Sequence, residues 1–194
     1  MTAQEIGVQL KNDLEIRIAK VFSVFDVHSD NFIDTRNIGN VLRILGCAPT
    51  EKEVHEIMLA TESAEEPGET HLSKFIAHIT KLLMDEAMKP ASSDEILDAF
   101  KVLDPENKLY LTKEYFGKLM SEDGEPFNEE EMADMWAVAI DPITDNIPYE
   151  FYINQLKHKT DLYDMAYQVK DQIARAEKDR RRPDRMRSRT HFAN

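Results

Sequence analysis

Apolar residues recur along this chain at three- and four-residue spacing, in paired runs separated by short polar loops. Ile16, Ala19, Phe22 and Phe25 make the first run. Ile38, Val41, Leu42 and Leu45 make the second, which Gly46 closes as a C-terminal glycine. Thr50-Glu-Lys-Glu53 has the form of a capping box, in which each side chain serves a backbone donor of the other residue. It starts a third run through Val54, Ile57 and Met58. The acidic stretch 62–69, with Pro67 and Gly68, breaks that run. Phe75, Ile76, Ile79, Leu82 and Leu83 form the fourth. The second half repeats the plan. Ser92 and Glu95 form a capping box ahead of Ile96, Leu97, Phe100 and Leu103. A loop at Asp104 precedes Tyr115, Phe116, Leu119 and Met120. Asn128 and Glu131 cap a run through Met132, Met135, Trp136 and Ile140, and a loop at Asp141 precedes Tyr149, Tyr152, Ile153 and Leu156.

The spacing predicts an all-α protein of four helix–loop–helix units in two lobes, residues 1–88 and 89–158. The boundary falls where Lys89-Pro90 disfavours helix. A third region, 159–194, carries Leu162, Ala166, Val169, Ile173 and Ala176 at alternating four- and three-residue steps. That stripe predicts one helix from about Tyr149 to near Arg182, discouraged from continuing by Pro183.

Composition narrows the class. Six Gly and eight Pro in 194 residues, with 31% charged side chains, agree with helices rather than turn-rich strands. A single cysteine, Cys47, provides no internal disulfide and suits a reducing compartment. No apolar run opens the chain and no segment approaches a membrane span, so neither a signal peptide nor a membrane protein is expected. Neither end carries a lipidation motif. The chain nets −13. Residues 175–194 hold eight Lys/Arg against three Asp/Glu, a net +5, which leaves −18 on residues 1–174. An acidic body predicts basic partners and a basic tail an acidic one, while phosphate would repel most of the chain, excluding nucleic acid.

The loop Asp26–Asn37 places Asp26, Asp30 and Asp34 at positions 1, 5 and 9, where a twelve-residue calcium loop needs oxygen donors. Position 12 wants a bidentate Glu and holds Asn37; position 3 holds His28, whose nitrogen suits calcium poorly. Three carboxylates fall short of the six to eight oxygens calcium takes, so these residues are at most a weak calcium site and no cofactor is expected. The loop at 62–74 shows no register with acids at both ends, and Leu72 is expected to meet Ile33 across the lobe. The third loop has Lys108, Leu109 and Tyr115 at ligand or turn positions; the fourth, from Asp141, is one residue short. Leu111 is expected to pair with Ile147. Enzyme readings fail on similar grounds. His55-Glu56 begins a zinc-protease pattern, but Leu59 stands where its second histidine belongs. No Gly-rich phosphate loop or nucleophile elbow occurs.

Four stretches together resemble the calmodulin/troponin C superfamily across about residues 10–158: Phe22-x-x-Phe25-Asp26, Leu45-Gly46-x-x-Pro49-Thr50-Glu51, Ala99-Phe100-x-x-Leu103-Asp104 and Gly124-Glu125-x-x-x-x-Glu130-Glu131. More narrowly, three segments resemble the EF-hand subunit family (subunit eight) of the ciliary nexin–dynein regulatory complex. They are Ile38-Gly-x-Val-Leu-Arg-x-Leu-Gly46-Cys47-x-Pro49-Thr50-Glu51, Gly124-Glu125-Pro126-Phe127 with Glu130-Glu131-Met132, and Ala139-Ile140-Asp141-Pro142. The resemblance implies a non-catalytic structural adaptor in the cytoskeleton of the cilium or flagellum, on the axoneme beside other subunits of that complex.

Nine methionines are many for this length. Met58, Met84, Met120, Met132 and Met135, with Phe100 and Trp136, are expected to line grooves for a basic amphipathic or IQ-like helix. Leu162, Val169 and Ile173 are expected to dock on a neighbouring coiled coil. Arg180, Arg181 and Arg182 are expected to meet an acidic surface, with tubulin's tails and neighbouring subunits as candidates. The competing readings are a calcium sensor or buffer using residues 26–37 and a light-chain-like subunit on an IQ-type helix.

Overall fold

The computed structural model describes residues 8–156 and 160–180; Arg181 and Arg182 lie outside them. Each of the four units is a helix, a loop with a short strand, and a helix. The first pair comprises α1 (Asp13–Phe22), β1 (Phe32–Asp34), α2 (Ile38–Leu45), α3 (Glu51–Thr61), β2 (Glu69–His71) and α4 (Leu72–Met84). The second comprises α5 (Ser93–Leu103), β3 (Leu111–Thr112), α6 (Lys113–Glu122), α7 (Glu129–Ala139), β4 (Asn146–Ile147) and α8 (Tyr149–Leu156), and α9 (Leu162–Arg180) follows. The capping boxes at Ser92 and Asn128 are formed in full. At Thr50, Glu53 N donates to Thr50 Oγ1 and Thr50 N donates back to Glu53 Oε2.

The described residues divide into two compact units. Unit 1 holds residues 8–47, 54–89 and 160–180; unit 2 holds 48–53 and 90–156. The expected separate extension is therefore corrected. Thr160 and Asp161 are not helical, and α9 folds into unit 1 against α1 and α4.

Unit 1 is organised on Leu14, Ile18, Phe22, Phe75, Ile79 and Leu83, all essentially inaccessible, with the Phe22 and Phe75 rings 5.4 Å apart. On α1 the buried face runs through Leu14, Ile18 and Phe22, while Ile16, read from the sequence as core, is half exposed. Strands β1 and β2 pair antiparallel with Ile33 opposite Thr70, not Leu72, which instead opens α4. That register places Gly68 (φ +86°) two residues before Thr70, as Asn31 (φ 68°) precedes Ile33. The second loop therefore does have a twelve-residue register, Ser63 to Lys74. Only its end residues are not acids, which is why the sequence concealed it.

Helix α9 buries Leu162, Tyr163, Ala166 and Val169 in this unit. Leu162 and Val169 each contribute roughly 1.5–3 kcal/mol when fully removed from water. Polar contacts fix its position. Thr160 Oγ1 donates to Leu45 O and accepts from Leu162 N, each at 3.2 Å. Tyr163 Oη donates to Ala87 O at 2.9 Å. Lys170 Nζ reaches Met84 O, at the negative C-terminal end of α4, at 2.7 Å. Leu162 and Val169 are thus corrected from partner contacts to core residues, since their own lobe covers them. Ile173, beyond the lobe, is half exposed.

Gly46 closes α2 in the left-handed region (φ +98°), and a Cβ there would lie 2.8 Å from Thr160. Gly46→Ala is expected to cost unit 1 at least about 1–2 kcal/mol from backbone strain alone, with displacement of Thr160 added. Urea unfolding reads it, and unchanged stability would contradict this packing.

Unit 2 has a smaller core of its own: Phe100, Leu111, Phe116, Met135, Ala139, Ile147, Tyr149, Tyr152 and Ile153. Leu111 pairs with Ile147 as expected.

Candidate helix-binding site

The two halves can be superposed residue by residue on their sequence. Phe22-x-x-Phe25-Asp26 corresponds to Phe100-x-x-Leu103-Asp104, so Ile18 matches Ile96 and Ala19 matches Leu97. The paired strands match Thr70 to Ile147, and hence Ile79 to Leu156. Burial at these matched positions differs sharply. Ile18 and Ile79 are 0% exposed in unit 1, on α1 and α4, the two helices that α9 packs against. In unit 2 Ile96 and Leu97 are only half buried, and Leu156 is 45% exposed. Unit 2 therefore presents uncovered the apolar positions that unit 1 buries.

Other half-buried side chains pack on the same core: Leu103 on α5, Met120 on α6, and Met132 and Trp136 on α7. Beneath them is an aromatic floor. Phe100 stacks on Tyr149 (5.3 Å, 15°) and meets Phe116 at 5.5 Å and Tyr152 edge-on at 6.3 Å. The Trp136 ring lies edge-on to Phe116, at 6.4 Å, under the Lys113 ammonium at 5.8 Å. Gly117 makes room for it: a Cβ there would come within 3.1 Å of the ring.

The seven residues expected to line a groove are thus divided. Met120, Met132 and Trp136 are half-buried and pack against the core of unit 2. Phe100 and Met135 are buried in its core. Met58 and Met84 belong to unit 1, packed against the core that α9 completes. Charge separates the units further. Residues 90–156 carry 16 Asp/Glu and 4 Lys/Arg, a net −12, whereas the described residues of unit 1 carry 17 and 12, a net −5. An apolar face in so acidic a surround suits a cationic amphipathic helix.

The loops are held by the chain's own groups. In the first, Asp26 accepts from Asp30 N (3.2 Å) and Asn31 N (2.9 Å), and Asp30 accepts from Phe32 N. Asp34 is turned to Arg36, whose Nε lies 3.0 Å from both carboxylate oxygens. Hydrogen bonds from the Arg36 side chain, then its backbone, and its charge lower the Asp34 pKa to about 2 against some burial. What the pair contributes to stability is complete above the ordinary carboxylate pKa and fades as pH falls towards about 2; its exposure to solvent keeps that contribution small. In the second loop Lys74 Nζ, at the position where calcium loops hold Glu, donates to Glu62 O at 2.5 Å. Among the described residues, no three His, Cys, Asp or Glu side chains converge as a metal site.

Two interactions escaped the sequence. Asp104 is buried and accepts from Lys108 N, Leu109 N and Tyr149 Oη, at 3.0, 2.8 and 3.1 Å. Burial opposes its charge, but these hydrogen bonds prevail and hold its pKa below the usual value. Cys47 lies buried within bonding reach of Tyr163; burial pushes its thiol pKa up, so it is a structural and unreactive group.

No protein-family model matches the chain. It is 42% identical over 144 residues to mouse dynein regulatory complex protein 8, covering 74% of this chain and 88% of the mouse protein. To the human protein of the same name it is 38% identical over 107 residues, 55% of this chain and 40% of that one. Bovine cardiac myosin regulatory light chain 2 is 29% identical over 140 residues, 72% of this chain and 79% of that one. Among solved structures, a Physarum polycephalum myosin II regulatory domain superposes with a TM-score of 0.55 at 24% identity, over 73% of this chain and 93% of that one. Mlc1p bound to IQ2 of Myo2p, a class V myosin, superposes with a TM-score of 0.57 at 20% identity, over 72% and 96%. These two likenesses establish the calmodulin-like all-α fold.

Proposed function

Since this chain belongs to the family of dynein regulatory complex protein 8, we propose that it is a structural, non-catalytic subunit of the regulatory complex on the axoneme of a cilium or flagellum. Its work there is to hold a helix. The uncovered face of unit 2 receives a basic amphipathic, IQ-like helix from another subunit. The observation that carries this reading is the exposure of Leu156 where its counterpart Ile79 is fully buried, within a segment of net charge −12. Light chains of the same fold, one of them bound to an IQ segment, support the class of ligand.

Binding needs no calcium in this account. Arg36 engages the Asp34 carboxylate in the first loop, Lys74 holds the closing position of the second, and Lys108 is a cation at a ligand position in the third. The basic stretch 175–194, through Arg180, Arg181 and Arg182, meets an acidic surface, with tubulin's tails as one candidate.

Cross-linking of intact axonemes tests the assignment. Lys101, Lys113 and Lys118 of unit 2 are expected to link to a basic helix of another subunit of the regulatory complex. Links from these lysines to a myosin heavy chain instead would favour the light-chain reading and overturn this one.

A further inference from the structure

We infer that the face of unit 1 between α1 and α4 is a second helix-receiving site, closed in cis by α9, which is a replaceable occupant and not an indispensable part of the core. Four observations lead there. First, α9 lies on α1 and α4, and these helices bring Ile18 and Ile79, the counterparts of the uncovered Ile96 and Leu156. Second, α9 engages as an amphipathic ligand would. It uses Leu162, Ala166 and Val169, at i, i+4 and i+7, with Tyr163 beside them, and Tyr167 on its far side is 70% exposed. Third, its grip ends early: beyond Val169 no side chain of the helix is buried, although the helix runs on to Arg180. Fourth, the centre of the unit 1 core, the Phe22 and Phe75 rings 5.4 Å apart, is contributed by α1 and α4 and not by α9, and unit 2 is a folded helix–loop–helix pair with no such ninth helix assigned to it.

The ligand class follows from α9 itself. It is an amphipathic helix with apolar residues at i, i+4 and i+7, and a lysine one position further that caps the carbonyls ending α4, as Lys170 does. Residues 160–180 carry five acids and four bases, so this ligand is nearly neutral and differs from the strongly cationic helix expected at unit 2. A site filled in cis binds a competing helix with an affinity reduced by the fraction of time it stands open.

The test uses the full chain and a labelled peptide of residues 160–180, read by fluorescence anisotropy. Ala166→Glu with Val169→Glu breaks the apolar face of α9. This variant is expected to bind the peptide at least about tenfold more tightly than the wild-type chain does. The emission of Trp136, the only tryptophan and a reporter of unit 2, is expected to stay unchanged. Lys170→Glu, which leaves the apolar face intact, is expected to give an intermediate affinity. Equal binding by wild type and double variant, or no binding by a variant that remains helical, overturns the inference. So does unfolding of unit 1 in the double variant, because α9 would then be core. Failure here leaves the reading of unit 2 standing, since that face is tested by Trp136 and by a different peptide.

Discussion

Phe100→Ala is expected to remove about 3–5 kcal/mol from unit 2, a loss typical of deleting a buried aromatic ring. The ring is enclosed by Tyr149, Phe116 and Tyr152 at 5.3–6.3 Å, and unit 2 has only a small core to absorb the cavity. A loss of that size is comparable with the whole stability of a small domain. Calorimetry should therefore show one transition lost or shifted far down, with Trp136 emission following it. The transition of unit 1, built on its own cluster around Phe22 and Phe75, should remain. An unshifted Trp136 transition would mean that Phe100 is not the keystone of this core.

Trp136→Ala is expected to leave unit 2 folded and to weaken a bound basic helix by about 30-fold, close to 2 kcal/mol, as loss of a central aromatic contact does at interfaces. Trp136 is only half buried, so its removal opens no closed cavity, yet it is the largest of the half-buried side chains on the unit 2 core. Gly117→Ala provides the complementary change, pushing the ring from its seat by a methyl group that would lie 3.1 Å away. Anisotropy of a labelled peptide measures both, with circular dichroism confirming the fold. Undiminished affinity in Trp136→Ala would move the site elsewhere.

Most of the architecture was legible in sequence because it rests on local signals. Three- and four-residue apolar spacing, three capping boxes and a closing glycine set eight helices close to their observed bounds. What escaped depends on distant partners. The register of the second loop was hidden because Ser63 and Lys74 replace the acids that mark its ends, although Gly68 held the clue. The stripe on α9 was visible, but a stripe does not say what covers it; its own lobe does, through Thr160 against Gly46 and Tyr163 against Ala87. The candidate groove was split between units because methionine spacing cannot separate floor from rim. The internal repeat carried that information: matching Ile79 to Leu156 distinguishes a covered face from an open one.

The central claim is that unit 2 holds a basic helix without an ion switch. Its most direct measurement is a titration of the full chain with a basic amphipathic IQ-like peptide, followed by Trp136 emission in chelator and then in calcium. The account predicts saturable binding with the same affinity in both, weakened by salt as the charge complementarity requires. Binding that appears only with calcium and vanishes in Asp26→Ala would contradict it.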